Sequence, residues 1–144
     1  MVMTHRKIFW GSLVCAFLSL WGCSDDIESF YHDKAAVLED RAIEYGWIPD
    51  ILPDSATHIS ETHDLDTNTG VGEFVFHERD ERWLRERLEL RLASHIRQHA
   101  LKQYNLLDTH DVFIWGNFIV SVDWEKHAVI FILPYTTAMQ ELRE

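Results

Sequence analysis

Apolar residues recur at helical spacing in two parts of the chain. The pattern over residues 33–45 is short, and Gly46 follows it as a stop signal. The pattern over residues 80–104 is long, and Glu81 and Arg85 form a favourable four-spaced pair on its polar side. Its apolar stripe steps by four along the chain: Leu84, Leu88, Leu92 and Ile96. The two patterns predict a short helix and a long amphipathic helix.

Four strands are predicted from alternating or continuous apolar runs. Residues 57–63 alternate, and residues 73–77 follow them after the turn-rich segment 64–72, which makes this pair a hairpin. Residues 112–122 and 128–133 form a second hairpin across a short polar turn. The last strand is apolar on both faces, so we expect it to be covered on both sides.

The order of these elements predicts a small single α+β domain. We expect a mainly antiparallel sheet of about four strands in two hairpins, packed with one long amphipathic helix and a shorter N-terminal helix. Two prolines make residues 47–55 a rigid connection between the first helix and the first strand. Residues 135–144 are expected to form a short terminal helix or tail.

The N-terminal residues have the organisation of a secretory signal. Arg6 and Lys7 precede an uncharged apolar run over residues 8–21. A membrane-spanning helix needs about 20 apolar residues, and this run is shorter. The alternative interpretation is an uncleaved hydrophobic anchor.

The end of this segment resembles a bacterial lipobox. Leu20, Gly22 and Cys23 stand at the positions that such a signal uses, with the cysteine directly after a small residue. The resemblance implies that Cys23 accepts a lipid group and becomes the first residue of the mature chain. Ser24 follows, and by resemblance to well-studied diderm lipoproteins it favours the periplasmic side of the outer membrane, with the inner membrane as second choice.

Cleavage before Cys23 divides the chain into three parts. These are a signal peptide over residues 1–22, a polar tether over residues 23–32 and a domain over residues 33–144. The whole chain has 13 basic and 24 acidic residues, a net charge of −11. Both cations of the signal peptide leave on cleavage, so 11 basic and 24 acidic residues remain and the mature charge is −13. This balance argues against nucleic acid and favours a basic envelope protein as partner.

One loop carries oxygen ligands at alternate positions. Asp64, Asp66 and Asn68 follow the spacing of a calcium-binding loop. Val75 stands where such a loop has its bidentate glutamate, and strands flank the loop in place of helices. The alternative is a hairpin loop whose acidic side chains accept hydrogen bonds from their own backbone.

Two pairs of histidines are candidates for metal ligands by their spacing. His58 and His63 are five residues apart, so they point to opposite faces of a regular strand and are expected to be surface or cap residues. His95 and His99 are one helical turn apart, a spacing that zinc can use, but no third ligand can be named. We therefore predict no resident metal or cofactor and keep His95, His99 and the oxygen loop as candidates.

The sequence lacks recognisable catalytic machinery. It has no G-x-S-x-G motif and no glycine-rich phosphate loop. Cys15 would leave with the signal peptide and Cys23 would be acylated, so no thiol remains. Four serines have no recognisable activating context: Ser55, Ser60, Ser94 and Ser121. We therefore expect a protein that is not an enzyme.

One string of residues resembles a known family. The string reads Gly46-Trp47-Ile48-Pro49, Leu52-Pro53-x-Ser55-Ala56-Thr57, then His63-Asp64-x-Asp66-Thr67-Asn68. It is similar to a segment of uncharacterised bacterial envelope proteins described as YbbD-head-like. The resemblance covers residues 46–68 and loosely reaches Phe76. It implies an envelope protein and transfers no catalytic residues.

Three hypotheses on function follow from these observations. The first is an envelope lipoprotein that serves as a noncatalytic structural or protein-binding module facing the periplasm. The second is a periplasmic inhibitor or immunity protein against a secreted toxin or hydrolase. The third is a metal-binding protein that uses the histidines and the oxygen loop. Neither the partner nor the oligomeric state follows from the sequence.

Overall fold

The computed structural model describes residues 26–88, 98, 101–102, 104–106 and 110–133. Six strands, two complete helices and one 3-10 turn lie in these ranges: β1 (Asp26–Asp33), α1 (Lys34–Glu39), β2 (Thr57–Asp64), β3 (Thr69–Val75), the 3-10 turn Glu78–Asp80, α2 (Glu81–Arg87), β4 (Asp111–Trp115), β5 (Phe118–Asp123) and β6 (Ala128–Leu133). Residues 98, 101 and 102 are also helical. No helix among the described residues is long and apolar enough to cross a membrane.

The six strands form one sheet in the order β1-β2-β3-β6-β5-β4. Every neighbouring pair is antiparallel. The central β3–β6 pairing therefore joins two three-stranded halves, one built before α2 and one after it. The antiparallel character of the sheet agrees with the sequence-based prediction. The number of strands and the lengths of the helices differ from it.

The prediction of a four-stranded α+β domain with a long amphipathic helix is wrong. Helix α1 has six residues and ends at Glu39, and α2 has seven and ends at Arg87. At Leu88 the backbone leaves the helical region, with φ −86° and ψ 62°, while the side chain stays buried in the core. Core packing at this position overrides the helix propensity of the stripe. Residues 89–97 lie outside the described part of the chain.

The two additional strands come from segments that were interpreted differently. Residues 26–33, assigned mostly to the polar tether, pair with β2 as strand β1. The run 112–122, interpreted as one strand, is a hairpin that turns at Gly116 and Asn117. Gly116 has a φ of 58°, which a two-residue hairpin turn requires and which glycine adopts without strain.

The larger part of the core lies on one side of the sheet. Helix α1, the connection over residues 40–56 and α2 bury their apolar side chains against the strands there: Val37, Ile48, Ile51, Leu52, Leu84 and Leu88 pack with Ile59, Phe74, Val120 and Phe131. On the other side a smaller cluster covers the β4–β6 end: Leu101, Val112, Ile119 and Ile132.

The β1–β3 end of that second side remains exposed, and we call it the open face. Alternation along the strands places Phe30, Val71 and Val75 on it, and the exposed fractions of these side chains are 77%, 50% and 37%.

Candidate functional site

An irregularity in β2 interrupts the open face. The pairing of β2 with β3 shifts register between Thr57 and Ser60, and His58 adopts a left-handed backbone with φ 51°. A bulge of this kind redirects a side chain. The exposed His58 imidazole, whose Nδ1 lies 3.2 Å from Thr57 Oγ1, borders two depressions of the surface.

The first depression, which we call the β1 groove, has a volume of about 690 Å³. It is lined by side chains of β1, β2 and β3, among them Phe30, His32, Thr57, His58, Ser60 and Glu73. Phe30 is its largest exposed apolar group. Glu73 is an exposed carboxylate on the same face, opposite Ser60 in the β2–β3 register. The groove thus combines an apolar contact with negative charge.

The second depression is a cavity of about 300 Å³ on the β6 side of His58. It shares His58 and Glu73 with the β1 groove. Its remaining lining mixes ionisable and apolar groups: His110, Asp123, Lys126, Val75, Ala128 and Ile130. Both volumes lie in the range of small-molecule and side-chain pockets, roughly 300–1,000 Å³.

His110 is held at the wall of this cavity by two side chains of β5. Its Nδ1 lies 2.9 Å from Ser121 Oγ, and its Nε2 lies 3.4 Å from Asp123 Oδ2. The backbone N–H of Lys126 donates to Asp123 at 3.0 Å, and this bond, with the Lys126 ammonium at 3.1 Å, holds the pKa of Asp123 below its usual range. The carboxylate therefore stays ionised beside the imidazole.

The catalytic triad of a serine hydrolase has the same three residue types as Ser121, His110 and Asp123, but here the serine side chain is buried. Ser121 is 1% exposed, and a nucleophile has to reach its substrate. In a hydrolase triad the serine contacts Nε2 and the carboxylate contacts Nδ1, which is the reverse of the arrangement here. The geometry positions His110 and does not activate Ser121.

The sequence does not reveal this constellation because His110 lies just before β4, whereas Ser121 and Asp123 lie on β5. The imidazole that Ser121 contacts belongs to a residue eleven positions earlier in the chain, so no short-range motif links the two. The Gly116-Asn117 turn could have indicated the constellation from sequence. A hairpin that turns there pairs Asp111 with Val122 and so brings His110 opposite Asp123.

A buried polar pair lies on the core side of β2. Glu61 and His63 are 4% and 8% exposed, and His63 Nδ1 lies 2.8 Å from Glu61 Oε2. The Trp47 ring packs edge-on against the His63 ring. His63 Nε2 has no hydrogen-bond partner in the described part of the chain. The buried position of His63 differs from the surface or cap position expected for it, because alternation carries Ile59, Glu61 and His63 to the same core-facing side.

Tyr31 connects β1 to the turn after α1. Its hydroxyl donates to Asp40 Oδ2 at 2.6 Å. Burial of the ring, followed by this hydrogen bond, raises the pKa of Tyr31 to about 12. The neutral hydroxyl is therefore the form that the fold favours.

The oxygen-rich loop between β2 and β3 binds its own backbone. Asp64 Oδ1 accepts hydrogen bonds from the N–H groups of Asp66 at 2.8 Å and Thr67 at 3.1 Å, and the Thr67 bond lowers the pKa of Asp64. Asn68 adopts a φ of 53°, as hairpin turns require. Among the described residues no group of three or more His, Cys, Asp or Glu side chains could hold a metal ion. The loop geometry is that of the hairpin alternative.

Three predicted site residues lie outside the described residues: Cys23, His95 and His99. The lipid attachment and the helical zinc pair therefore stay predictions.

A comparison with protein families supports the resemblance for one part of the chain. The family model of the YbbD head domain matches residues 25–75. Neither a curated protein nor a solved structure matches the chain. The matched segment carries β1, α1, β2 and β3, and with them the β1 groove. Over these 51 of the 144 residues, the chain is similar to the YbbD-head-like family.

Proposed function

We propose that this protein is an envelope lipoprotein whose domain binds a basic protein segment in the β1 groove and catalyses no reaction itself. The observation that carries the proposal is Phe30, which is 77% exposed beside the groove. Exposed apolar groups that lie together and are rimmed by polar residues are typical of protein-binding surfaces. Val71 and Val75 are exposed on the same face of the sheet, two strands away on β3.

The charge around Phe30 selects the chemistry of the partner. Glu28 lies two residues before Phe30 on the same face of β1, and Glu73 lies on the same face of β3. The mature chain carries a net charge of −13, which attracts a basic partner over a distance and repels an acidic one. The expected ligand is therefore an apolar side chain flanked by lysine or arginine.

The location rests on two sequence resemblances. The YbbD-head-like segment suggests an envelope-associated protein. The lipobox-like order of Leu20, Gly22 and Cys23 supports a lipid anchor on Cys23, with the domain on the periplasmic side of the outer membrane. The partner is then sought among envelope proteins.

Photocrosslinking in the native envelope tests the binding role. A benzophenone amino acid replaces Phe30 in one variant, and in a second it replaces Leu38, which is 55% exposed on α1. Helix α1 packs on the core side of the sheet, so position 38 is a control for nonspecific crosslinking at an exposed apolar position. We expect a light-dependent adduct with a defined basic protein at position 30 and none at position 38.

Charge reversal sharpens this test. Glu73→Lys should weaken the adduct by about tenfold, equivalent to about 1.4 kcal/mol, because it opposes a basic partner at close range. Glu39→Lys, on α1, makes the same change of charge away from the groove and should leave the adduct unchanged. The proposal is wrong if position 30 gives no adduct, or if both positions give the same adducts. A basic hydrolase in the adduct, inhibited by this protein, would identify the binding role as that of an inhibitor.

A further inference from the structure

Strand β1 is the exposed edge of the sheet. The strand order places β1 and β4 at the two ends. In the part of the chain that the structure describes, β1 has β2 as its one strand neighbour, and all of its residues are exposed or half-buried. Strand β4 differs, because Val112 and Phe113 are buried. Strand β1 is therefore the more exposed of the two edge strands.

Strand β1 lacks three of the usual protections of an edge strand. Natural edges are blocked by proline, by lysine or by a bulge that breaks the register. The segment 26–33 contains neither residue, and its pairing with β2 runs in one register from Asp26–Asp64 to Asp33–Thr57. What guards this edge is negative charge, supplied by Asp26, Glu28 and Asp33. These negative charges repel a second copy of this acidic chain and favour pairing with a basic strand.

We infer that β1 is a docking edge that takes one extended strand of a basic protein by β-augmentation. The inference rests on the proposed binding function and specifies how the partner is held. Main-chain hydrogen bonds along β1 would supply register and affinity, and the side chains of the two faces would supply specificity.

The side chains of β1 define the sequence of that strand. Glu28, Phe30 and His32 alternate onto the open face. An apolar residue opposite Phe30 would cover its ring, and a lysine or arginine two positions away in the partner strand, on the same face, would lie opposite Glu28. On the other face, Ile27, 42% exposed, offers a second apolar contact. The partner strand is therefore expected to carry an apolar and a basic residue two positions apart, on the face that meets Phe30 and Glu28.

Hydrogen exchange of the β1 amides tests the inference directly. In an antiparallel strand, alternate residues direct both their N–H and C=O groups to the same neighbour, so every second amide of β1 faces away from β2. The probe is a capped seven-residue peptide with valine at its fourth position, lysine at its second and sixth positions and threonine elsewhere, added to the full chain in detergent. At about ten times its Kd this peptide should slow the exchange of those alternate amides by about tenfold. A matched peptide with glutamate in place of both lysines should leave them unchanged.

Proline substitution separates the edge from the groove. Of the neighbouring variants Glu28→Pro and Ser29→Pro, one removes an N–H that β2 needs and the other removes an N–H that points outward. The variant that keeps the wild-type unfolding midpoint is the outward one, and it should lose both the amide protection and the Phe30 adduct.

The inference is overturned if neither peptide slows exchange, if both slow it equally, or if protection falls on β3 and not on β1. An adduct at position 30 that survives in the folded proline variant would also overturn it and leave the proposed function intact. Absence of any adduct at position 30 would remove the proposed function itself.

Discussion

Gly72 lies where β3 passes between β2 and β6, and it has no room for a side chain. A Cβ atom there would collide with the Phe131 ring and with the backbone oxygen of Ser60. The ring can move but the strand backbone cannot, so Gly72→Ala should lower the free energy of unfolding by about 1–3 kcal/mol. Urea unfolding measures this change.

Gly70 provides the matched control on the same strand. A Cβ atom there would lie 3.1 Å from the Thr62 backbone oxygen, a contact that a shift of a few tenths of an ångström relieves. Gly70→Ala should therefore cost clearly less than Gly72→Ala. Equal losses in the two variants would show that the collision at position 72 is not what limits stability.

Tyr31 makes stability depend on pH in the alkaline range. Its pKa is about 12 in the folded protein, against about 10 in an unfolded chain. The folded state thus holds the phenol proton more tightly, and the contribution is fully present below pH 10 and is lost as the pH rises through 12. At neutral pH, Tyr31→Phe should cost about 0.5–1.5 kcal/mol by removing the hydrogen bond to Asp40.

Urea unfolding at several pH values checks this prediction. The difference between wild type and Tyr31→Phe should shrink between pH 10 and pH 12, because the wild type alone loses this contribution. Tyr45→Phe is the control, since Tyr45 is 63% exposed, and it should change the unfolding free energy by less than about 0.5 kcal/mol. A constant difference across this pH range would contradict the assigned role of Tyr31.

At the scale of elements, the C-terminal end of α2 is held in the core by Leu88, the residue that follows the helix. Leu88 is 2% exposed and lies where the helix ends. Leu88→Ala should destabilise the domain by about 2–5 kcal/mol, because it removes a buried side chain and leaves a cavity. Leu38→Ala, on the exposed side of α1, should cost less than about 0.5 kcal/mol in the same denaturant experiment. A near-zero change for Leu88→Ala would mean that the core tolerates its loss by collapse.

The sequence predicted β2 and β6 well, whereas the strong helical stripe over residues 80–104 did not predict that α2 ends at Arg87. Strands β2 and β6 lie close to their predicted positions, and Glu81 and Arg85 form the expected pair with a 2.7 Å contact. Strand β3 begins at Thr69, so it takes in residues that were predicted to form the turn. Strand β1 was not predicted because it is polar and exposed, and its structure depends on pairing with β2 and not on its own pattern.

The candidate site was less accessible to prediction than the fold. Sequence spacing identified oxygen and imidazole groups that are close along the chain, such as Asp64, Asp66 and Asn68, or His95 and His99. The groups that line the groove and the cavity, Phe30, His58, Glu73 and His110, come from four separate segments. Strand order brings them together, and strand order does not follow from local spacing.

At the scale of the whole molecule, the proposed anchor would place the docking edge close to the membrane. Strand β1 begins at Asp26, three residues after Cys23. Three residues span at most about 10 Å when extended. With Cys23 acylated, the N-terminal end of β1 would sit at the lipid surface, and the acidic domain would be repelled by anionic headgroups beyond its own anchor. A partner strand would therefore meet β1 beside the bilayer.

The mass of the protein recovered from the membrane fraction tests this arrangement. We expect the mass of residues 23–144 plus attached acyl chains, because the thiol of Cys23 is the group that a lipobox signal modifies. The control is Cys23→Ala, which removes that thiol and should abolish both the added mass and the cleavage before position 23. More than one acyl chain makes anchoring stable, so the wild type should stay with the membrane after a high-salt wash. An unmodified full-length mass would show that residues 8–21 are an uncleaved hydrophobic segment, and the mature charge of −13 and the close approach of β1 to the membrane would then both be wrong.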